Sequence, residues 1–371
     1  MQERLTIQDI ARLAGVSKAT VSRVLNRNVP VSSELSERVM RIVREHGFVP
    51  NVTATGLAGG KTRLVGVLAP PLTWPAIPEM LRGAAEYMED TSYEIVLYSI
   101  RFDRNHTDVL DRILSMRMIS GLLAILPGEL FPSLTDHFQR GLPLVLIDDQ
   151  AEPTDIPWVG IDNVSSAYEA TRYLLEQGHR RIAYFQGPQH YYCSAERYQG
   201  YAQALQDVGI TPDPVLIFQG RFDVPSGREC ALELFSRERE TWPSAIFASN
   251  DQMAYGVLYA AEQMGVRVPE DIALVGFDDN LLSAHMRPPL TTVRQPFFQM
   301  GYKAIELLLN NIDPDHHIES APERCFPNPE MAELADLVVD LDADHAQRVR
   351  LPTSLVVRAS SGGLYTASSS I

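Results

Sequence analysis

Seven short runs rich in apolar residues punctuate the chain between positions 64 and 277: Leu64 to Ala69, Ile95 to Ser99, Leu122 to Leu126, Leu144 to Asp148, Ile182 to Gln186, Ala245 to Ser249 and Ile272 to Phe277. Most are apolar at consecutive positions rather than alternate ones, so each strand needs cover on both faces. Amphipathic stretches, among them Ser165 to Gln177, Ala195 to Val208, Gln252 to Met264 and Phe298 to Asn310, supply it. Strand and helix alternating in this way predict parallel sheets layered with helices, and the strands are too many for one compact unit. The expected body is therefore two similar α/β halves with a cleft between them. In such sheets ligands bind beyond the carboxyl ends of the strands. Asp148, Asn250 with Asp251, and Asp278 with Asp279 fall just there. One such polar pair reads most simply as a helix cap. Several converging on one cleft read better as a ligand site.

Ahead of this body, residues 6–26 spell two short helices around a glycine turn. Ile7, Ile10, Ala11 and Ala14 form one apolar stripe, and Val21, Val24 and Leu25 form another. Thr6 with Asp9 marks a helix start, Gly15 permits the turn, and Ser17 is placed to cap the second helix. The second helix then turns outward Ser17, Lys18, Ala19, Ser22, Arg23 and Asn26, which are short or cationic. That pattern suits base edges and phosphates in a DNA major groove, although a plain helical hairpin with a solvated face has the same periodicity. Ser32 signals a third helix carrying Leu35, Val39, Ile42 and Val43, which stops at Gly47. Charge favours the DNA reading. Residues 1–63 hold 10 basic and 5 acidic side chains, a net of +5, against 22 and 42 in the remainder, a net of −20. A basic head on an acidic body presents only the head to a polyanion.

The 371 residues, 45% of them hydrophobic, suffice for two or three domains. The expected division is a helix-turn-helix headpiece at 1–50, a hinge linker at 51–63 and an α/β body at 64–371. No uninterrupted apolar run reaches about 18 residues, and Met1-Gln-Glu-Arg-Leu-Thr lacks the order of a secretory signal. A cytoplasmic protein without membrane contact is expected. Cys193, Cys230 and Cys325 are scattered, which predicts reduced thiols rather than disulfides or a thiolate metal site. Neither a metal nor a cofactor is called for. His316-His317 has no third ligand at sensible spacing, and no nucleophile elbow or phosphate loop accompanies His179, His190 or Ser194.

Seven motifs, in order, give the chain a resemblance to the LacI/GalR family of bacterial transcription regulators. They are Thr6 to Asn26, Gly47-Phe48-Val49-Pro50-Asn51, Leu57-Ala58, Gly178-His179-Arg180-Arg181-Ile182, Asn250 to Gly256, Gly276-Phe277-Asp278-Asp279, and Pro289 to Gln295. The resemblance implies a body like a type I periplasmic sugar-binding protein and a homodimer on a palindromic operator. It implies that Lys18 and Ala19 set specificity, with Thr6, Ser17, Thr20, Ser22, Arg23, Asn26, Ser32, Asn51 and Ala54 in supporting DNA contacts and Leu57 as a minor-groove wedge. For the effector it points to Asp148, Arg197, Phe222, Asn250, Asp278 and Gln295, with Tyr191 and Cys193 tuning the choice of ligand. A sugar or sugar derivative suits those groups, because carboxylates and amides bond vicinal hydroxyls, a guanidinium forks across two of them, and a ring offers an apolar face. Arg197 also reads as a salt bridge at a helix start.

Three features depart from the family pattern. Trp74-Pro75-Ala76-Ile77 stands where Asn-Pro-Phe-Phe is common, making Trp74 either a stacking platform for a sugar ring or a core residue. Gly56 weakens the linker as a helix. An acidic insertion at about 312–350, with Glu319, Glu323, Glu330, Glu333, Asp336, Asp340, Asp342 and Asp344, has no assigned role and reads as a surface loop or a partner-binding insert. The chain ends without a leucine heptad, so a dimer rather than a tetramer is expected. The sequence-level expectation is a ligand-controlled repressor rather than an enzyme, the alternatives being a cytosolic solute receptor or an enzyme using the cleft.

Overall fold

The computed structural model describes residues 5–26, 31–48, 62–100, 107–115, 118–126, 130–148, 155–314, 339–340 and 347–362. They divide into two units, one ending at Thr62 and one beginning at Arg63. In the first, α1 (Ile7–Ala14), α2 (Lys18–Asn26) and α3 (Ser33–Glu45) close on Ile10, Ala11, Ala14, Val21, Val24, Val39 and Val43. Local chemistry fixes their ends. Thr6 and Asp9 form a reciprocal capping box, Gly15 takes the left-handed conformation at φ 62°, and Ser17 Oγ accepts the Thr20 N–H at 3.1 Å. Ser32 occupies the N-cap position of α3, but its hydroxyl makes no capping bond there.

The second unit carries β1 (Leu64–Ala69), α4 (Ala76–Met88), β2 (Glu94–Ser99), α5 (Thr107–Ser115), β3 (Gly121–Ile125), α6 (Phe131–Gln139), β4 (Leu144–Ile147) and β5 (Trp158–Ile161). There follow α7 (Asn163–Glu176), β6 (Ile182–Gln186), α8 (Tyr192–Asp207), β7 (Ile217–Gln219), α9 (Val224–Phe235), β8 (Ala245–Ala248) and α10 (Asp251–Met264). The last elements are β9 (Ala273–Asp278), β10 (Thr291–Arg294), α11 (Phe297–Ile312), β11 (Val339–Asp340), β12 (Arg348–Leu351) and β13 (Ser354–Val356).

Two sheets form, ordered β11-β12-β5-β4-β3-β1-β2 and β13-β10-β9-β8-β6-β7. Only the β11/β12 and β10/β13 pairs run antiparallel. β1, β3, β4, β8 and most of β6 are buried, as continuous apolar strands require. The chain passes between the halves three times. It leaves the first sheet after β5, α11 returns to pack on α4 and on β3 to β5, and after β12 the chain crosses again to β13. Contact between α4 and α11 is backbone on backbone: a Cβ at Gly301 would lie 1.8 Å from the Met80 carbonyl oxygen, and one at Gly83 would lie 1.9 Å from that of Phe298.

Cys193 and Cys230 are buried and in no disulfide. No helix among the described residues is long and apolar enough to cross a membrane. Most of the acidic insertion lies outside the described residues; its Asp340 falls in β11, at the rim of the first sheet.

Candidate functional site

The loops beyond the carboxyl ends of both sheets converge on one cavity of about 210 Å³. Trp74 reaches it from the loop after β1, Leu126 and Asp148 from the residues directly after β3 and β4, and Tyr191 and Cys193 from the start of α8. Phe222 follows β7, Asn250 follows β8, Asp278 ends β9 and Gln295 follows β10. All nine effector-site residues expected from the sequence thus share one cavity, with Arg197 projecting from α8. Thr73, Met80, Asp223, Gln252 and Phe297 also line it and escaped the sequence reading. So did Leu126, although the strand-end rule that singled out Asp148 applies equally to the residue after β3.

The backbone is strained around this cavity. Among the described residues, the non-glycine positions with positive φ are Leu126, Asp148, Phe222, Asp278 and Asp279. Four of the five line the cavity. Each such residue costs on the order of 1–3 kcal/mol, so the fold sustains a conformational cost where the side chains converge.

Arg197 is 3% exposed. Its Nε donates to Asn163 Oδ1 at 2.9 Å, its Nη1 donates to the Ser249 carbonyl at 2.8 Å, and the guanidinium lies over the Phe277 ring, 3.9 Å from the centroid. Nη1 also stands 3.8 Å from Asp278 Oδ1. The expected two-pronged fork into the cavity is corrected by these bonds, because Nε and Nη1 are engaged within the protein, and among the described residues only Nη2 has no hydrogen-bond partner. Gln295 Nε2 donates to Asp278 Oδ1 at 2.7 Å, which turns the Gln295 Oε1 away. Asp148 Oδ1 and Gln295 Oε1 are both buried without a hydrogen-bond partner among the described residues. Burial pushes the Asp278 carboxyl up to about 6, although Arg197 and Gln295 pull it down.

Asn250 both caps and lines. Its Oδ1 accepts the Met253 N–H at 2.9 Å, and its Nδ2 donates to the Phe222 carbonyl at 3.1 Å, fixing that ring's position. Of the paired residues at strand ends, Asp251 and Asp279 turn inward instead. Asp251 accepts from Asn280 N, Ser283 Oγ and Thr292 Oγ1, and burial followed by the nearby Asp278 raises its carboxyl far above the usual range. Asp279 binds Arg294 and Arg358, each at 2.7 Å. Trp74 is half-buried and meets Tyr191 edge-on, with centroids 5.7 Å apart, so it is a wall of the cavity that also packs on the core.

In the headpiece, Thr6, Ser17, Lys18, Ala19, Arg23 and Ser32 are exposed, and Thr20 and Ser22 are half-buried. Ser17 Oγ and Thr20 Oγ1 lie 2.8 Å apart, so both hydroxyls are tied into the helix start. Asn26 ends α2. Asn51, Ala54 and Leu57 lie outside the described residues.

The model of bacterial regulatory proteins of the lacI family matches residues 6–51, and that of a periplasmic binding protein-like domain matches residues 171–331. The transcriptional regulator DegA of Bacillus subtilis is 33% identical over 303 residues, spanning 80% of this chain and 88% of DegA. The chain belongs to the LacI family. It is a DNA-binding transcriptional regulator, as its LacI-family relatives are. A Lac repressor dimer bound to operator and the anti-inducer ONPF superposes with a TM-score of 0.78 at 25% identity, over 97% of this chain and 99% of that one. The transcriptional regulator CelR, in complex with cellobiose, superposes at 0.66 with 30% identity, over 96% and 100%.

Proposed function

We propose that this regulator is a cytoplasmic homodimer, a repressor whose hold on a palindromic operator is set by an uncharged, hydroxyl-rich effector, a sugar, in the cavity. One observation carries the reading: Asp148 Oδ1 and Gln295 Oε1 are buried acceptors without partners among the described residues, and a buried acceptor left unbonded costs roughly 1–3 kcal/mol. A ligand that donates hydrogen bonds relieves both, and a sugar hydroxyl can donate to such an acceptor while accepting from a guanidinium N–H. Trp74, Tyr191 and Phe222 supply the apolar ring faces such a ligand needs. Three carboxylates, Asp148, Asp223 and Asp278, face one guanidinium in the lining, which disfavours a phosphorylated occupant. Likeness to CelR, whose structure holds cellobiose, supports the same class.

In this reading Lys18, Ala19 and Arg23 meet the operator, Leu57 enters the minor groove at its centre, and the body binds its effector without turning it over. In this reading the linker is the element through which an effector opposes DNA binding. The test is a thermal-shift series with D-ribose, D-glucose, D-galactose and cellobiose, each beside its phosphorylated form where one exists. An uncharged sugar should raise the melting temperature and be recovered unchanged. Stabilisation by phosphorylated sugars alone, or conversion of the bound sugar, contradicts the proposal.

A further inference from the structure

Arg197 owes its direction to a neighbour from another element. The Asn163 oxygen that receives its Nε is itself fixed, because Asn163 is 3% exposed and its Nδ2 donates to Glu196 Oε2 at 3.0 Å. With the amide nitrogen held by a carboxylate, the oxygen is left for Arg197. Glu196 and Arg197 are consecutive on α8, whereas Asn163 is the first residue of α7, where the chain has just left the first sheet for the second. The residues around it bind the third crossing as well. Asp162 caps α7 through the Ser165 N–H and accepts from Arg350 Nη1 of β12 at 3.3 Å, and the hydroxyls of Ser166 and Thr353 lie 2.7 Å apart. The guanidinium at the cavity is therefore attached, through one buried amide, to two of the three strands that join the halves.

We infer that Asn163, oriented by Glu196, is the positioning residue for Arg197 and the link through which the contents of the cavity reach the crossings. The second part rests on the effector reading above; the first does not. A side chain at 163 that merely shaped the fold would leave the guanidinium where it is.

The experiment uses the full-length, 15N-labelled chain and follows the Nε–H resonance of Arg197, assigned by its loss in Arg197→Lys. A slowly exchanging resonance is expected in the parent. It should persist in Glu196→Gln, whose amide oxygen still accepts from Asn163, and be lost or moved to the solvent-exposed position in Asn163→Ala. Glu196→Ala, which leaves Asn163 in place but frees its amide to turn, should produce the same change at smaller size and stands in if Asn163→Ala does not fold. D-Ribose, D-glucose and cellobiose are then titrated against each variant. Whichever binds the parent should bind Asn163→Ala about tenfold more weakly or worse, and should shift the amides of Ile161 to Asn163 and of Thr353 in the parent but not in Asn163→Ala. An unchanged Nε–H in both alanine variants overturns the positioning role, and so does equal sugar affinity in parent and Asn163→Ala. Amides of the crossing that shift alike in both overturn the link. If the Nε–H responds as described and none of the three sugars binds the parent, the positioning role stands, while the link and the carbohydrate reading both fall.

Discussion

At the scale of single residues, the cavity is governed by how few cations face its carboxylates. Asp278 is held above its ordinary value by burial, so the native chain binds its proton where the unfolded chain has already released it. Stability contributed by this group is complete below about pH 4 and is lost as pH rises through about 6. Asp278→Asn should therefore flatten the stability profile of the body between those limits, removing a slope of up to about 1.4 kcal/mol per pH unit. Urea denaturation at half-unit pH intervals measures it, and an unaltered slope would assign the titration elsewhere. Arg197→Ala leaves Asp278 and Asp148 buried without their counter-charge and should cost about 3 kcal/mol at pH 7.5. The deficit should shrink below pH 6, where Asp278 takes up its proton. A deficit independent of pH would mean that lost packing, not charge, is what the guanidinium supplies. Arg197 lines the cavity and also stands 3.8 Å from the Asp278 carboxylate, so the salt bridge considered at the sequence level and the cavity meet in one side chain. Its bonds to Asn163 and Ser249 were not legible, because they join residues 34 and 52 positions away.

At the scale of elements, the apolar runs located seven strands and four helices to within a few residues, because strands buried on both faces show as short continuous apolar runs and the helices between them as longer amphipathic stretches. β5, β7 and β10 were missed. Trp158–Ile161 and Ile217–Gln219 are short, and Thr291–Arg294 is polar at three of its four positions, its threonines buried by bonds that a hydropathy pattern does not register. β12 and β13 could not be placed at all from pattern, since they join sheets built by residues far earlier in the chain. The glycines in the helices went unread for a related reason: only the packed structure shows that Gly301 touches the backbone of α4. Gly301→Ala should force α4 and α11 apart and destabilise the body by about 2–3 kcal/mol despite the better helix propensity of alanine. Chemical denaturation decides the sign, and a stabilised variant would mean that the helices separate freely. In the headpiece, Thr6→Ala removes the capping box and should cost about 1 kcal/mol. Hydrogen exchange at the Asp9 and Ile10 amides, if faster by about fivefold, reports that local loss; unchanged rates would show α1 held by its core alone.

At the scale of the whole molecule, the segregation of charge along the chain and the cavity in the body pose one thermodynamic question: how binding at one site alters binding at the other. The net of +5 in residues 1–63 and −20 in the rest predicts DNA affinity that is steeply dependent on salt and carried by few side chains. On the reading proposed above, Arg23, exposed on α2, is one of them, and Arg23→Gln should lower the slope of log affinity against log salt on random-sequence duplex by about 0.9. The coupling itself obeys a stricter rule. If a sugar in the cavity changes affinity for a selected palindromic duplex by some factor, that duplex must change affinity for the sugar by the same factor, and a coupling of about 1–3 kcal/mol sets it between about 5- and 150-fold. Both affinities can be measured on the full-length chain at one salt concentration, by titrating the duplex with and without saturating sugar and then the reverse. Equal factors well above one establish the sugar as the effector and give the sign of its action. A factor of one in both directions, with tight sugar binding, would leave a filled cavity that says nothing to the headpiece.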